Sequence, residues 1–254
     1  MTALLEIVAL CKEFGGVRAV QDVSFSVEPG IVYSVIGPNG AGKTTLFNLV
    51  TGVYAPTSGQ VRLAGEPVTG LAPHALARKG MARTFQNLQI CMNMTAIENV
   101  MVGAHLSLDC NLVKAMLRFP SLRRADAALR AEAGRLMDYV GLAAWRDAEA
   151  SAMPYGALKR LEIARALAGK PRILFLDEPA AGFNPKETAE IDQLIRKIAD
   201  GGITVVLVEH DMKMVMNISD RILVLNYGRK LAEGSAREVR SDPQVIAAYL
   251  GKAA

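Results

Sequence analysis

Two kinds of apolar pattern alternate along this chain and predict an α/β protein. Short, almost uninterrupted apolar runs, typical of strands buried on both faces, occur at Ile31–Ile36, Ile173–Leu176 and Ile203–Val208. Segments with apolar residues at helical spacing lie beside them, such as Ala157–Ala168 and Lys186–Asp200. Strands that alternate with helices in this way favour a parallel sheet.

The remaining segments predict smaller elements around this sheet. Leu4–Leu10 and the alternating residues that end at Pro29-Gly30 predict antiparallel strands joined by a turn at Phe14-Gly-Gly16. Further strands are predicted at Gln60–Gly65 and Met81–Phe85, and further helices at Pro73–Lys79 and near Pro243–Leu250. The tail resumes with Arg221–Leu225 and Tyr227-Gly228.

From Thr95 to about Leu167 the periodicity is helical. Thr95-Ala-Ile-Glu98 has the form of a capping box, and Asp126–Val140 is rich in strong helix formers. A block of helices between strands predicts a helical subdomain at about 88–168, inserted into a single domain that spans 1–254.

A phosphate-binding loop is predicted between the first buried strand and the helix after it. The segment Gly37-Pro-Asn-Gly-Ala-Gly-Lys-Thr-Thr45 fits the required pattern of glycines, lysine and threonine. Its glycines allow successive N–H groups to point inward, and the following helix directs its positive end at the same anion. The candidate nucleotide-binding residues are Gly37, Pro38, Asn39, Gly40, Ala41, Gly42, Lys43, Thr44 and Thr45. The alternative is a glycine-rich turn without a ligand.

Acidic residues and a histidine follow two of the buried strands. Asp177 and Glu178 end one strand, and His210 follows the other. Because parallel strands present ligands at their carboxyl edge, Asp177 is placed to hold Mg²⁺ opposite Thr44, and Glu178 to polarise an attacking water. His210 could hydrogen-bond a γ-phosphate oxygen, although a lone histidine is more often structural.

The composition of the chain limits the class of protein but does not identify a ligand. Of the 254 residues, 51% are hydrophobic and 21% are charged, which is a globular composition. The apolar runs are far shorter than the roughly 20 residues of a spanning helix, and the first residues lack the pattern of a secretory signal, so we expect a cytoplasmic protein. The net charge of +4 is dispersed, which argues against nucleic acid as a partner. Cys11, Cys91 and Cys110 are scattered, which favours reduced thiols.

These motifs, in this order, resemble the ATP-binding subunits of ABC transporters. By this resemblance Gly37–Thr45 is the Walker A loop, Gln86 the Q-loop glutamine, Met153-Pro-Tyr-Gly156 with Lys159-Arg160 the signature motif, Ile173–Asp177 Walker B, Glu178 the catalytic glutamate, Ala181-Gly-Phe-Asn184 the D-loop and His210 the switch histidine. The resemblance implies a P-loop NTPase core of the RecA-like type with an N-terminal antiparallel β subdomain and an inserted α-helical subdomain.

The same resemblance assigns further contacts to ATP and Mg²⁺. Phe14 takes the place of the aromatic residue that stacks on adenine, with Val20 beneath the base, whereas its local pattern favours ordinary core packing. Gln86 joins Thr44 and Asp177 at the metal, and Tyr155 and Gly156 contact the nucleotide from the signature motif.

Finer features resemble the LivG-type branch of branched-chain amino-acid uptake systems. They are Arg83-Thr-Phe-Gln-Asn87, Met94-Thr-Ala-Ile-Glu-Asn99, Leu161-Glu-Ile-Ala-Arg-Ala-Leu167, Glu178-Pro-Ala-Ala-Gly182, Glu233-Gly-Ser235 and Ala248-Tyr-Leu-Gly251. The signature departs from the usual Leu-Ser-Gly-Gly-Gln, since Pro154, Tyr155 and Ala157 replace its serine, first glycine and glutamine. Because the serine hydroxyl is missing, we expect a weakened but not abolished contact to the γ-phosphate. Asn184 replaces the commoner D-loop aspartate, which we expect to alter communication between the two nucleotide sites.

The family resemblance also implies partners. Two ATPase subunits sandwich ATP, so the chain is expected to form a homodimer, or a heterodimer with a related subunit, peripheral to the cytoplasmic face of the inner membrane. Integral permease subunits, and through them a solute-binding protein, complete such a system. Leu88, Ile90, Met92 and Met94 line a permease-docking groove or pack in the core. The other hypotheses are a soluble ABC ATPase acting on nucleic acid or ribosomes, and a nucleotide-dependent scaffold with negligible turnover.

Overall fold

A computed structural model of the chain describes residues 3–105 and 120–250. The chain forms two compact units. The first unit consists of Met1–Arg83 and Arg172–Ala254, and the second of Thr84–Pro171. The helical subdomain predicted at 88–168 falls within the second unit. Gly251 and Cys110 lie outside the described residues.

The first unit contains two β-sheets. The antiparallel sheet has the order β2-β1-β4-β5, formed by β1 (Leu5–Phe14), β2 (Val17–Val27), β4 (Ser58–Leu63) and β5 (Glu66–Pro67). The larger sheet has the order β10-β9-β3-β8-β7-β6, formed by β3 (Val32–Ile36), β6 (Met81–Arg83), β7 (Ile173–Asp177), β8 (Thr204–Val208), β9 (Arg221–Asn226) and β10 (Arg229–Gly234). Its strands are parallel except for β10, which pairs antiparallel with β9 at the edge. The predicted parallel sheet and antiparallel subdomain are confirmed.

The helices of the first unit follow the strands. They are α1 (Lys43–Val50), α2 (Pro73–Arg78), α6 (Pro185–Asp200), α7 (Met212–Ile218), α8 (Ala236–Ser241) and α9 (Pro243–Leu250). One apolar core joins α1 to both sheets, with the Phe47 ring edge-on against Phe175 at 5.3 Å between centroids. Burial on both faces explains why β3, β7 and β8 read as nearly continuous apolar runs.

The described part of the second unit is helical, with α3 (Ala96–Gly103), α4 (Pro120–Tyr139) and α5 (Tyr155–Ala168) joined in part by 3₁₀ turns at Ala143–Trp145 and Ala150–Ala152. The capping box predicted at Thr95 is confirmed, because the Thr95 side chain accepts from the Glu98 N–H and Glu98 accepts from the Thr95 N–H. Gly103 lets α3 and α5 pack closely, since a Cβ there would lie 1.9 Å from the Arg165 carbonyl oxygen.

Several of the predicted strands begin or end at the wrong residue. The strand predicted to reach Phe85 ends at Arg83, and β4 begins and ends two residues earlier than predicted. The edge strand β10 and the short helix α8 were not predicted. In the described part of the chain, none of the helices combines the length and apolar character needed to cross a membrane.

Candidate functional site

The phosphate-loop motif lies between β3 and α1 in the first unit. Gly42 is the residue before the first turn of α1 and has φ 96°, a conformation that favours glycine. A Cβ at Gly42 would also lie 2.5 Å from the carbonyl oxygen of Ala19. The loop and the positive end of α1 therefore approach the β1–β2 hairpin more closely than any side chain would allow.

Lys43 folds back over the loop that precedes it. Its Nζ donates to the carbonyl oxygens of Gly37 at 2.7 Å and Pro38 at 3.1 Å. Burial lowers the pKa of Lys43, and the charge of Glu178 acts in the opposite direction. The lysine is thus held inside the loop and within electrostatic reach of Glu178.

The carboxylate pair lies at the end of β7, as predicted. Asp177 is 4% exposed and accepts a hydrogen bond from Arg83 Nη2 at 2.9 Å. Glu178 follows with φ 48°, a left-handed conformation that is uncommon outside glycine and often occurs at functional sites. Its N–H donates to the Val208 carbonyl at 3.0 Å, which fixes this turn against the end of β8.

His210 lies beside Glu178. Its Nδ1 is 3.8 Å from a Glu178 carboxylate oxygen and its side chain is exposed. The fold therefore brings a carboxylate and an imidazole together at the ends of β7 and β8, with Lys43 at the start of α1 within electrostatic reach of the carboxylate. Together these groups can bind an anion, orient a water molecule and accept its proton.

Glu209 is a residue of this site that the sequence analysis missed. It is 1% exposed and accepts backbone N–H groups from Ala180 at 3.1 Å, His210 at 2.9 Å and Asp211 at 3.3 Å. One carboxylate therefore ties the segment after Glu178 to the segment that presents His210. An acidic residue directly after a buried apolar strand was the only available signal.

Asn184, at the end of the D-loop motif, caps α6. Its side-chain oxygen accepts from the N–H groups of Lys186 at 2.9 Å and Glu187 at 3.0 Å, and Glu187 returns a bond to the Asn184 N–H. Aspartate and asparagine cap helices about equally well. This local role explains how asparagine can stand at the position of the commoner aspartate.

Gln86 and the signature residues belong to the second unit, where α5 anchors the segment around Gln86. Lys159 Nζ donates to the Gln86 carbonyl at 3.1 Å, and the Phe85 N–H donates to Glu162 at 3.2 Å. Burial raises the pKa of Glu162, and the hydrogen bond from Phe85 opposes that shift. The two motifs are therefore coupled through charged side chains of one helix.

At the signature motif, Pro154 is the residue before the first turn of α5, and no side chain caps the helix there. Tyr155 is 46% exposed at this terminus, and Gly156 follows it in the first turn. The positive end of α5 is the remaining feature of the motif that can attract a phosphate.

Phe14 is not a core residue, so the packing interpretation favoured by its local pattern was wrong. It is the last residue of β1 and is 42% exposed. Its ring lies edge-on to the Tyr54 ring, with 5.5 Å between the ring centroids. The hairpin extends beyond the core and leaves the ring accessible to a ligand. Val20 is buried and belongs to the core.

Two oxygen donors of the first unit fit magnesium. Thr44 in the first turn of α1 offers a hydroxyl oxygen, and Asp177 at the end of β7 offers a carboxylate. Such hard oxygen donors, few in number and supplemented by phosphate oxygens and water, are what Mg²⁺ prefers in nucleotide sites.

Comparisons of the sequence and of the structure with known proteins identify the same family. A family model described as "ABC transporter" matches residues 20–181, and one described as "Branched-chain amino acid ATP-binding cassette transporter" matches residues 229–254. The chain is 47% identical over 251 residues to the high-affinity branched-chain amino acid transport ATP-binding protein BraF of Pseudomonas aeruginosa, and 46% identical to the LivG protein of Escherichia coli K12, with 98% of each chain covered in both cases. The ADP conformation of MJ1267, an ATP-binding cassette of an ABC transporter, matches with a TM-score of 0.85 at 30% identity, covering 99% of this chain and 100% of that one.

Proposed function

Because the chain belongs to the ABC transporter family of ATP-binding proteins, we propose that it is the ATP-hydrolysing subunit of an uptake system for branched-chain amino acids. The observation that supports hydrolysis most directly is the cluster of Lys43, Glu178 and His210. The proposed cargo rests on the named relatives and on the match at residues 229–254.

In the proposed reaction, the backbone N–H groups of Gly37–Thr45 and the Lys43 ammonium bind the β- and γ-phosphates. Bound Mg²⁺, held by Thr44, Asp177 and Gln86, would neutralise charge on these phosphates. Glu178 orients a water molecule in line with the γ-phosphate and accepts its proton, while His210 hydrogen-bonds a γ-phosphate oxygen.

Phe14 contributes to nucleotide affinity by stacking on adenine. Its exposed ring at the end of β1 supports this role. The buried Val20 supports the hairpin under the proposed base site.

ATP binding is proposed to close a dimer, with a second copy or a related ATPase subunit presenting its signature motif to the nucleotide. Tyr155 and Gly156 at the start of α5 would then contact the γ-phosphate of the opposite subunit. Without the usual serine hydroxyl, this contact depends on the helix terminus and its backbone.

The segment 88–95 is the proposed docking site for a permease at the cytoplasmic face of the membrane. Leu88, Ile90 and Met94 are only partly buried and Met92 is 42% exposed, so none is a core residue. Asn99 holds the segment through two-way hydrogen bonds with the Cys91 backbone, at 2.9 and 3.0 Å. A presented apolar surface on a fixed loop is suited to protein contact.

The proposal is tested by expressing the chain with its permease and binding-protein partners in cells that lack branched-chain amino-acid uptake. We expect the wild type to restore uptake of radiolabelled leucine and to co-purify from detergent with integral subunits. Glu178→Gln should bind ATP without turning it over, Lys43→Ala should lose nucleotide affinity, and the exposed Glu28→Gln should behave as wild type. Restored uptake of urea or a short amide with no leucine uptake would overturn the proposed cargo, and full turnover in Glu178→Gln would overturn the proposed mechanism.

A further inference from the structure

A buried arginine lies behind the proposed metal-binding carboxylate. Arg83 is the last residue of β6, and its side chain is 9% exposed. One guanidinium nitrogen, Nη2, donates to Asp177 Oδ2 at 2.9 Å, and the other, Nη1, donates to Asn48 Oδ1 at 2.6 Å and Thr51 Oγ1 at 2.8 Å. Arg83 therefore connects Asp177 to side chains at the end of α1.

Further contacts hold the α1 end of this connection in place. The Thr51 hydroxyl donates to the Phe47 carbonyl at 2.6 Å, so its oxygen is held in place to accept from Arg83. The Phe47 ring lies 6.0 Å from the guanidinium carbon and packs against Phe175 of β7. A planar guanidinium can bond several groups in fixed directions, which a lysine ammonium cannot reproduce.

The two elements that Arg83 joins supply two of the three proposed protein ligands of the metal. Thr44 lies in the first turn of α1, and Asp177 ends β7. Metal affinity depends on residues that hold ligands in orientation, and loss of such a residue typically weakens binding without changing the ligand set.

We propose that Arg83 is a positioning residue for the metal site, which holds the Asp177 carboxylate in a fixed orientation relative to α1 so that Asp177 and Thr44 reach one cation. The proposal rests on the proposed Mg²⁺-nucleotide function. The alternative role for Arg83 is charge compensation alone, in which the ion pair stabilises the fold but does not set metal affinity.

The two roles predict different results for Arg83→Lys. This variant keeps a positive charge beside Asp177, so it should remain folded, but it loses the fork that also bonds Asn48 and Thr51. A second variant, Thr51→Val, removes one of the contacts that orient Arg83 and leaves the ion pair intact. The matched control is Arg196→Lys, because Arg196 bridges Asp200 at 3.0 Å and Asp220 at 2.8 Å elsewhere in the same unit.

The experiment measures Mn²⁺ binding to the ADP-saturated protein by electron paramagnetic resonance, and ADP binding in EDTA by calorimetry. We expect Arg83→Lys to weaken Mn²⁺ binding by about tenfold or more while ADP affinity in EDTA is unchanged. Thr51→Val should weaken Mn²⁺ binding by a smaller factor, and Arg196→Lys should match the wild type.

If folded Arg83→Lys binds Mn²⁺ as tightly as the wild type, the positioning role is wrong and the proposed function is unaffected. A parallel loss of Mn²⁺ and metal-free ADP binding would also overturn it, because charge compensation and general stability would then suffice. If the wild type binds no Mn²⁺ with ADP, the proposed function and the role of Arg83 fail together.

Discussion

Replacing Glu209 tests whether one buried carboxylate aligns the segments on either side of Glu178. Glu209→Gln keeps the side-chain size but leaves a single acceptor oxygen, so the amide NH₂ must face either the Ala180 N–H or the N–H groups of His210 and Asp211. A buried donor left without an acceptor costs about 1–3 kcal/mol. Since Ala180 is buried, we expect a stability loss of about 1–3 kcal/mol when its bond is the one broken.

Glu209→Gln should lower the rate of ATP hydrolysis more than it lowers nucleotide affinity. His210 and Ala180 lie on the two segments adjacent to Glu178, whereas the phosphate loop makes no hydrogen bond to Glu209 among those described. We therefore expect Glu209→Gln to lower kcat for ATP hydrolysis by about tenfold or more, with ADP affinity nearly unchanged.

Urea unfolding, steady-state ATPase assays and ADP titrations measure these effects. The control is Glu238→Gln, since Glu238 also accepts a backbone N–H, from Ser235 at 2.7 Å, but in an exposed capping box distant in sequence from these residues. The control should lose less stability and keep its kcat. Wild-type kcat in a folded Glu209→Gln protein, or equal effects of both substitutions, would refute the alignment role.

Three further predictions concern capping, pH and the base site. Asn184→Ala should lose about 1 kcal/mol of stability in urea unfolding while Asn184→Asp keeps it, and an equal loss in both would contradict the capping role. Burial raises the folded-state pKa of Glu162, so the folded chain binds this proton more readily and stability falls as pH rises from the unfolded pKa through the raised folded pKa. Glu162→Gln should flatten this fall in melting temperature at pH values above 4.5, and an unchanged pH profile would contradict the assignment. Phe14→Ala should weaken ATP binding by about 1–3 kcal/mol with little change in melting temperature, while Phe14→Trp retains binding, and wild-type affinity in the alanine variant would exclude stacking.

The central sheet and the phosphate loop could be predicted because their signals are local. An apolar run buried on both faces predicts a parallel strand without any knowledge of its neighbours, and the glycines, Lys43 and Thr44 have fixed spacing. Strand β10 was missed because Arg229–Gly234 carries charged residues at an exposed edge and has no apolar run. Strand β6 pairs with β7 only as far as Arg83, opposite Phe175, and the periodicity of the segment does not show where this pairing stops.

The supporting residues of the site could not be predicted because their partners are distant in the chain. Glu209 bonds Ala180 across 29 residues, and Arg83 bonds Asp177 across 94. Nothing in the sequence around either residue identifies these partners. For Phe14 a local signal was present but misleading. An aromatic residue in an alternating strand predicts core packing, whereas this strand extends past the core.

The most direct measurement is a crystal structure of the protein with Mg²⁺ and a nonhydrolysable ATP analogue. We predict that Lys43 contacts the γ-phosphate, that Thr44 and Asp177 share one magnesium ion, and that Glu178 faces the γ-phosphate across a water molecule. An analogue bound away from Gly37–Thr45, or a magnesium ion that neither Thr44 nor Asp177 can reach, would contradict the account.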